Sequence, residues 1–348
     1  MNILILYAEI MPYNLPVWRY MRDKGCKLTV VQLDNRKLTP FKYTGEEGIM
    51  VHNITSYSDY KSFQEKFYRK DNKLVLMCEG PFIWYWKLAR YYHKKMPDIP
   101  VVVGIDAQWT GKRNNYIKKL IFPITYGKVF THAQCAGVWQ VMYALKIGFK
   151  RDQVIKPFYC AQNDIYYTVD IEKKRPLYPK RFIFVGRYNE VKGIREMIQA
   201  WQNIKDKKGW TFTMIGNGPM ENEIQKYKGI IDMRPFMRQE DIAKVMQESG
   251  CSIIPSRFEP WGLVIHEAAA AGMPMIVSRD CGATNQFAID GYNAVVINEV
   301  TVASVQRAME RIMNMPDDEL LTLAENSREM SKSIQPGHVA NVLLSLIQ

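Results

Sequence analysis

Short apolar runs alternate with longer amphipathic stretches along almost the whole chain, in two successive series. The first series comprises ILILY at 3–7, KLTVVQL at 27–33, KLVLM at 73–77, PVVVGI at 100–105 and KVFTH at 128–132. The second comprises RFIFVG at 181–186, TFTMIG at 211–216, GIIDM at 229–233, CSIIP at 251–255, PMIVS at 274–278 and AVVI at 294–297. Strands that alternate with helices form parallel sheets with helices on both faces. The pattern therefore predicts an α/β chain with two doubly wound, Rossmann-like domains.

The boundary between the two series is a polar stretch at 160–181, which has no clear period and contains Pro176 and Pro179. Such a stretch favours a connection between domains. We expect the first domain to span 1–163, together with the last helix at about 332–348, and the second to span 164–331. Ligands of doubly wound sheets bind beyond the carboxyl ends of the strands, so a cleft between the domains is the expected site.

Basic residues are concentrated in the first half of the chain. Residues 1–163 hold 25 Lys and Arg and 12 Asp and Glu, a net +13, whereas residues 164–348 hold 22 and 23, a net −1. The first half is thus suited to nucleic acid, an anionic membrane surface or an acidic substrate, and a basic face that serves only solubility is the alternative. No pattern typical of RNA-binding modules occurs, so nucleic acid is not an expected partner.

One segment of the first half, FIWYWKLARYYHKKM at 82–96, mixes aromatic residues with Lys87, Arg90, Lys94 and Lys95. This composition suits the interface of an anionic membrane, and packing of the aromatic side into the core is the alternative. No run of about 18 apolar residues indicates a membrane span. The start, MNILILYAEI, indicates a first strand instead of a signal peptide.

The six cysteines are scattered, without Cys-x-x-Cys, and the five histidines are scattered as well. This spacing predicts reduced thiols and no sequence-local metal site. Reduced thiols indicate a cytoplasmic protein, and the positive charge of the first half suits a peripheral position on the inner face of the membrane.

The turn after the strand at 181–186 holds Gly186, Arg187, Lys192 and Gly193 and leads into a helix. Glycines let backbone N–H groups approach phosphate oxygens, and the two cations supply full charges near a helix N-terminus. A diphosphate would suit this turn, although an ordinary strand-to-helix turn with exposed basic residues is equally compatible. After the next strand, Gly216 and Gly218 form a second turn, which either lets a flat nucleobase lie against the backbone or serves as a turn without a ligand.

The segment IIPSRFEPWGLVIHEAAAAGMPMIVS contains two carboxylates eight residues apart. Glu259 precedes an alanine-rich helix that begins near Gly262, and Glu267 lies one to two turns inside it. The free N–H groups of Gly262, Leu263 and Val264 suit an anion between the two acids. Carboxylates accept hydrogen bonds from hydroxyls, so a ligand with hydroxylated ends around a central phosphate, such as a nucleotide sugar, matches this layout. A solvated surface or salt bridges are the alternative for the acids.

The motifs Gly-Arg-x4-Lys-Gly, Gly-x-Gly-Pro and Glu-x7-Glu, in this order, resemble those of the retaining glycosyltransferases of family 4, which have the GT-B fold. Their spacing and order match through about 120 residues of the second half. The resemblance implies that Arg187 and Lys192 hold the donor diphosphate, Glu267 the ribose hydroxyls and Glu259 the hydroxyls of the transferred sugar. It also implies that the backbone of Gly262, Leu263 and Val264 lies near sugar and phosphate, and that transfer needs no metal. The absence of Asp-x-Asp from the sequence agrees with this last point.

The first half departs from the family pattern. The loop after the first strand, YAEIMPYNLPVWRYM, has no glycine, and Asp106 stands where the family often has a histidine. Asp106 is a candidate to accept a hydrogen bond from a sugar hydroxyl or to act as a base, with a helix cap as the alternative. His132, expected at the end of the next strand, is the second candidate, with a core histidine as the alternative.

The resemblance thus implies a retaining hexosyltransferase that moves a sugar from a nucleotide-diphosphate donor to a glycan or lipid-linked acceptor, in cell-surface polysaccharide or glycolipid synthesis. No cofactor besides the co-substrate is expected. Two alternatives remain open: a glycosidase that uses the two acids as catalysts, and a non-catalytic protein that binds nucleic acid or a membrane surface on a degenerate GT-B fold.

Overall fold

The computed structural model describes residues 1–34, 41–78 and 82–347, and the chain forms two compact units. The first unit is Met1–Cys160 together with the C-terminal segment from Ile334, and the second is Ala161–Ser333. Each unit contains one sheet of largely parallel strands joined through helices. The predicted α/β class with two Rossmann-like domains is confirmed.

The first unit is built on an eight-stranded sheet in the order β3-β4-β2-β1-β5-β6-β7-β8. Its strands are β1 Asn2–Tyr7, β2 Lys27–Gln32, β3 Gly45–Glu46, β4 Ile49–Asn53, β5 Asn72–Met77, β6 Val101–Ile105, β7 His132–Cys135 and β8 Val154–Ile155. Its helices up to this point are α1 Leu15–Asp23, α2 Tyr60–Phe67, α3 Ile83–Lys95, α4 Arg113–Ile121 and α5 Val138–Ile147. All neighbouring strands are parallel except the β3–β4 pair. The strand order reverses between β1 and β5, which makes their carboxyl ends a topological switch point.

The second unit is built on a six-stranded parallel sheet in the order β11-β10-β9-β12-β13-β14. Its strands are β9 Arg181–Val185, β10 Thr211–Ile215, β11 Asp232–Arg234, β12 Cys251–Ile254, β13 Met275–Ser278 and β14 Ala294–Ile297. Its helices are α6 Asn163–Tyr166, α7 Ile194–Asn203, α8 Glu221–Ile224, α9 Gln239–Gln247, α10 Leu263–Ala270, α11 Thr284–Phe287, α12 Val302–Asn314 and α13 Asp317–Ser331. Here the order reverses between β9 and β12, so the loops that follow these two strands share one edge of the sheet.

The last helix, α14 Pro336–Leu344, belongs to the first unit. It packs against α1, where the Asn341 amide donates a hydrogen bond to the Tyr20 hydroxyl at 3.3 Å. The buried Gln134 side chain of β7 donates to the carbonyl oxygen of Val339 at 3.3 Å. These contacts explain why a segment that follows the second series of strands folds with the first.

Both faces of β1 are buried, as expected of a central parallel strand. Ile3 and Ile5 pack on the side of α1 and α14, whereas Leu4 and Leu6 pack on the side of α3. The near-continuous apolar sequence of this strand follows from its position.

Two expectations about local structure were wrong. The run KVFTH at 128–132 is not a strand: the chain turns in a short 3-10 helix at Tyr126–Lys128, and β7 begins only at His132. Val129 and Phe130 are buried in the core without joining the sheet. Their apolar side chains therefore indicate burial and do not indicate pairing with a neighbouring strand. The interpretation of 160–181 as the connection between the domains holds only at its start, where the boundary lies between Cys160 and Ala161, and is wrong for the rest. Lys174 and Tyr178 are buried within the second unit and donate to the carbonyls of Ser249 and Gly250.

The aromatic side of α3 packs into the core of the first unit. Tyr85 and Tyr92 are fully buried, and their hydroxyls donate to the carbonyls of Val31 and Phe67 at 2.9 and 2.6 Å. Lys94 and Lys95 are exposed. For Tyr85 and Tyr92, therefore, the alternative interpretation of residues 82–96, packing of the aromatic side into the core, is the correct one. Among the described residues, no helix has both the length and the hydropathy that crossing a bilayer requires.

Candidate functional site

The loops that follow β9 and β10 pack directly against each other in the second unit. Gly216 has φ +144°, and a Cβ atom there would lie 2.0 Å from the carbonyl oxygen of Gly186. The amide of Tyr188 donates to the carbonyl of Asn217 at 2.7 Å, and Gly218 lies against the backbone of Tyr188. Close approach of two backbones is therefore sufficient reason for glycine at 216, whether or not a nucleobase lies there.

The loops that follow β9 and β12 meet at an ion pair between Lys192 and Glu259. Their side chains are only 20% and 17% exposed. A backbone hydrogen bond of 2.7 Å from the Arg257 amide to the Val191 carbonyl holds the two loops together. The structure thus brings together two residues that the sequence assigned to one ligand, although they lie in different motifs.

Gly262 connects Glu259 to the start of α10. It caps the helix with φ +88°, and a Cβ atom there would lie 2.8 Å from the Cγ atom of Glu259. Leu263 and Val264 are the first two residues of the helix, whose leading N–H groups have no carbonyl partner inside it. The carboxylate of Glu259 therefore lies beside a helix end with unpaired donors and partial positive charge.

Glu267 lies at the start of the second turn of α10 and is half-buried. The Gln239 side chain donates a hydrogen bond of 3.0 Å to its carboxylate. Burial raises the pKa of Glu267 from 4.5 to about 7, and the polar contacts with Gln239 and Tyr166 offset this rise only in part. Gln239 and Tyr166 lie far from the Glu-x7-Glu motif in sequence, so nothing in the local pattern pointed to them.

Arg187 follows β9 and is exposed. No salt bridge joins its guanidinium to another side chain within residues 1–34, 41–78 and 82–347. The Arg187 guanidinium is thus accessible to a ligand, whereas the Lys192 ammonium is ion-paired with Glu259.

His266, next to Glu267, has a structural role. The Ala161 amide donates to its Nδ1 at 3.1 Å, its Nε2 lies 3.1 Å from the Ser331 carbonyl, and its ring stacks on Phe287. Burial lowers the pKa of His266 to about 4. A neutral ring that accepts at Nδ1 and donates at Nε2 satisfies both contacts.

A cavity of about 520 Å³ lies at the switch point of the first unit. Its lining includes Glu9 after β1, Cys78 after β5, Asp106 after β6 and the tyrosines Tyr7, Tyr13, Tyr126, Tyr143 and Tyr159. The tyrosines and Glu9 were not predicted as site residues, because they are dispersed through the sequence and only the sheet brings them together.

Asp106 is one of the residues that line this cavity. The Tyr159 hydroxyl donates to its carboxylate at 3.4 Å, and desolvation raises the pKa of Asp106 above its usual range. The alternative role as a helix cap does not apply, since α4 begins at Arg113 with Lys112 as its N-cap residue.

His132 is not at the end of a strand, as was expected, but is the first residue of β7. It pairs in register with Val102, near the start of β6, whereas Asp106 follows the other end of β6. Its Nδ1 lies 2.9 Å from the Thr131 hydroxyl, and burial lowers its pKa. The placement that made His132 a candidate was therefore wrong, and it does not line the cavity around Asp106.

Residues 169–330 match the family model described as glycosyl transferases group 1. The matched segment is similar to this family and makes up slightly less than half of the chain. It contains Arg187, Lys192, Glu259 and Glu267. Within the described ranges, no three His, Cys, Asp or Glu side chains cluster so as to hold a metal ion.

Three curated relatives each match less than half of the chain. An uncharacterized glycosyltransferase of Methanocaldococcus jannaschii is 28% identical over 157 residues, 43% of this chain and 42% of that protein. A glycogen synthase of Mycobacterium tuberculosis is 26% identical over 40% of this chain and 35% of its own length. The alpha-D-kanosaminyltransferase of Streptomyces kanamyceticus is 25% identical over 44% of each. The chain thus spans less than half the length of these relatives.

Solved structures match both units. A sucrose-phosphate synthase from Thermosynechococcus elongatus has a TM-score of 0.74 at 14% identity and covers 99% of this chain and 97% of its own. Anabaena HepE in complex with UDP and glucose has a TM-score of 0.73 at 12% identity, with 98% and 97% covered. The predicted GT-B fold is confirmed.

Proposed function

We propose that this chain is a retaining, metal-independent glycosyltransferase of family 4. It transfers a hexose from a nucleotide-diphosphate sugar to a glycan or a lipid-linked acceptor, in the synthesis of a cell-surface polysaccharide or glycolipid. The observation that carries the proposal is the Lys192–Glu259 ion pair, which lies beside the N-terminus of the helix that presents Glu267. The names of the relatives and the UDP complex of a structural neighbour support it.

The donor would bind along the edge of the second sheet. In a sugar diphosphate the hydroxyls of the sugar are separated from the phosphate oxygens by only a few bonds. A carboxylate and an ammonium group in direct contact therefore match this ligand, with Glu259 toward the sugar and Lys192 toward the phosphate. Arg187 and the N–H groups of Gly262, Leu263 and Val264 would complete the phosphate contacts, and Glu267 would accept hydrogen bonds from the ribose.

The chemical step would break the bond between the anomeric carbon and the diphosphate oxygen. Arg187, Lys192 and the helix N-terminus would stabilise the negative charge on the departing diphosphate while an oxocarbenium-like sugar forms. The acceptor hydroxyl would attack from the side of the leaving group and transfer its proton to the leaving phosphate oxygen, which retains the anomeric configuration.

The acceptor would bind in the cavity of the first unit. A volume of about 520 Å³ is in the range that encloses small ligands. Tyrosine rings pack on the faces of sugars, and their hydroxyls, with Glu9 and Asp106, can hydrogen-bond to sugar hydroxyls. In this proposal Asp106 contacts a hydroxyl of the acceptor or of the transferred sugar. Cys26, Cys135, Cys251 and Cys281 are buried thiols outside any disulfide, which supports a cytoplasmic setting.

The two alternative functions have less support. A glycosidase would use both acids as catalysts, but Glu259 is ion-paired with Lys192 and Glu267 is bonded to Gln239. A non-catalytic binding protein would not need this arrangement of carboxylates and cations around a helix end.

Thermal unfolding with a panel of nucleotides tests the proposal. Uridine, guanosine and adenosine diphosphates and their sugar forms would each be added to the full chain. A ligand at 100 times its Kd adds about 2.7 kcal/mol to stability, so one base should raise Tm clearly above the others. The Lys192→Ala variant should respond less. Absence of any shift with every nucleotide would contradict the proposal.

A further inference from the structure

The stretch from Ala107 to Arg151 contains no acidic residue. It holds eight Lys and Arg side chains, and Asp106 and Asp152 bracket it. The segment includes α4 and α5, which pack against each other. An acid-free run of this length gives one part of the first unit a positive potential that no carboxylate of its own sequence offsets.

Helix α4 and the turn after it expose large apolar side chains instead of burying them. Leu120 is 81% exposed and Ile124 is 64% exposed, and Tyr116 and Ile117 are exposed as well. The spacing of Tyr116, Ile117 and Leu120 places them on one side of α4, and Ile124 follows in the short 3-10 turn Phe122–Ile124. Lys112, Arg113 and Lys119 are exposed around it.

Helix α5 continues the same combination. Val138, Trp139 and Met142 are exposed near its start, and Lys146 follows Met142 by one turn on the same side. The Lys146 ammonium lies 5.3 Å from the ring of Trp109, in the loop that leads to α4. Single exposed apolar residues are ordinary, but six on two packed helices and a seventh in the turn after α4 mark a binding surface.

We propose that the exposed side chains of α4 and α5 form a docking face for an anionic lipid bilayer. An apolar stripe with Trp and Tyr, flanked by Lys and Arg, is the composition of segments that lie in the membrane interface. A second copy of the chain would bring two acid-free basic segments together, and their repulsion disfavours that partner. Nucleic acid would match the charge but gives no reason for Leu120 and Ile124 to face solvent.

The docking face adjoins the cavity of the first unit. Lys118 of α4 and Tyr143 of α5 both line that cavity, and the Lys118 ammonium lies 5.8 Å from the Tyr143 ring. A bilayer on α4 and α5 would therefore lie close to the cavity mouth, where a lipid-linked molecule could present its polar end. The inference goes beyond the proposed transfer reaction and does not depend on it, because it concerns residues outside the donor site.

The test is co-sedimentation of the full chain with vesicles of phosphatidylcholine, with and without about one third phosphatidylglycerol. One variant, Lys112→Glu with Lys119→Glu, reverses charge on the docking face, and its matched control, Lys94→Glu with Lys95→Glu, makes the same change on α3. A second variant, Ile117→Ser with Leu120→Ser, removes apolar contact. Its control is Leu177→Ser with Ile230→Ser, two exposed apolar positions of the second unit.

The wild type should bind anionic vesicles and not neutral ones. Each docking-face variant should lower the partition coefficient at least about tenfold, and each control should stay within about twofold of wild type. Raising salt from 0.1 to 1 M shortens the Debye length from about 10 to about 3 Å and should release the protein. Affinity for the nucleotide should remain unchanged in all four variants, which separates this test from that of the donor site.

Three results would overturn the proposal. The first is failure of the wild type to bind anionic vesicles at low salt. The second is an equal effect of docking-face and control variants. The third is unchanged vesicle binding in Ile117→Ser with Leu120→Ser, combined with loss of a dimer or of binding to single-stranded RNA, which would assign the face to that partner instead.

Discussion

Lys192 and Glu259, which are 67 positions apart in the sequence, form an ion pair at the carboxyl edge of the second sheet. The ion pair orients the Lys192 side chain in the absence of a ligand. A backbone hydrogen bond between the two loops holds Lys192 and Glu259 near each other. The ion pair also means that the two groups act on a ligand together. Arg187, exposed and outside this pair, supplies the unshared charge.

We expect Arg187→Ala and Lys192→Ala each to weaken binding of a nucleoside diphosphate. Each removes a charge-assisted contact worth about 1.5–3 kcal/mol, or about 10- to 100-fold in Kd. Loss of Lys192 should be the more damaging, since it also removes the cation that lies between the Glu259 carboxylate and the phosphate and offsets their repulsion. Isothermal titration calorimetry measures the Kd of each variant for the nucleoside diphosphate. Lys205→Ala, past the other end of α7, is the control, and an unchanged Kd in both variants would refute the phosphate assignment.

Affinity for a nucleotide sugar should rise with pH through neutrality. Burial raises the pKa of Glu267 to about 7, and the ionised carboxylate is the form that accepts hydrogen bonds from two ribose hydroxyls. A nucleotide sugar is the right probe, because its diphosphate diester does not titrate in this range. Calorimetry from about pH 6 to pH 8 should show the rise in wild type and a flat profile in Glu267→Gln. A rise of equal size in Glu267→Gln would assign the pH dependence to another group.

The same shift predicts a change in stability. An acid whose pKa is raised by folding binds its proton more tightly in the folded state, so its contribution is most favourable below its unfolded pKa of about 4.5 and is lost as pH rises through about 7. Glu267→Gln removes the ionised group, so Tm at pH 8 should exceed that of wild type by about 2–4 °C. At pH 5 the two should unfold at nearly the same temperature. A lower Tm for the variant at pH 8 would contradict burial as the cause of the shift.

Asp106→Asn should lower the rate of sugar transfer while leaving the affinity for free nucleoside diphosphate unchanged. The amide keeps the size of the side chain but loses the charge that faces the cavity and accepts from Tyr159. We expect kcat/KM to fall about 10- to 100-fold, as for loss of a positioned polar group. Asp98→Asn, at an exposed position before β6, is the control. Full transfer activity in Asp106→Asn would remove this residue from the site.

The periodic pattern predicted most strands, because parallel strands buried on both faces are nearly continuous apolar runs. It failed at KVFTH, where Val129 and Phe130 are buried without pairing. It also did not indicate β7 as a strand, since Ala133, Gln134 and Cys135 have little β propensity. Pairing with β6 and β8 on either side determines that strand, and tertiary context of this kind is not encoded in a local run.

The candidate donor site was accessible from sequence because its parts lie in three compact motifs that follow strands of one sheet. The cavity of the first unit was not, because Tyr7, Tyr13, Tyr126 and Tyr159 are brought together only by the order of β1, β5 and β6. Gln239 and Tyr166, which contact Glu267, could not be predicted from the sequence for the same reason. Residues that tune a buried carboxylate are selected by distance in space, and their sequence separation carries no signal.

The central claim is that Glu267 and Glu259 contact different parts of one nucleotide sugar, and a comparison of two ligands tests it most directly. Calorimetry would measure Kd for the free nucleoside diphosphate and for its sugar form with wild type, Glu267→Ala, Glu259→Ala and the control Glu319→Ala, an exposed acid of α13. Glu267→Ala should weaken both ligands. Glu259→Ala should weaken only the sugar form, because its contact exists only when the sugar is present. Equal loss of affinity for the free nucleoside diphosphate in both variants would contradict the account.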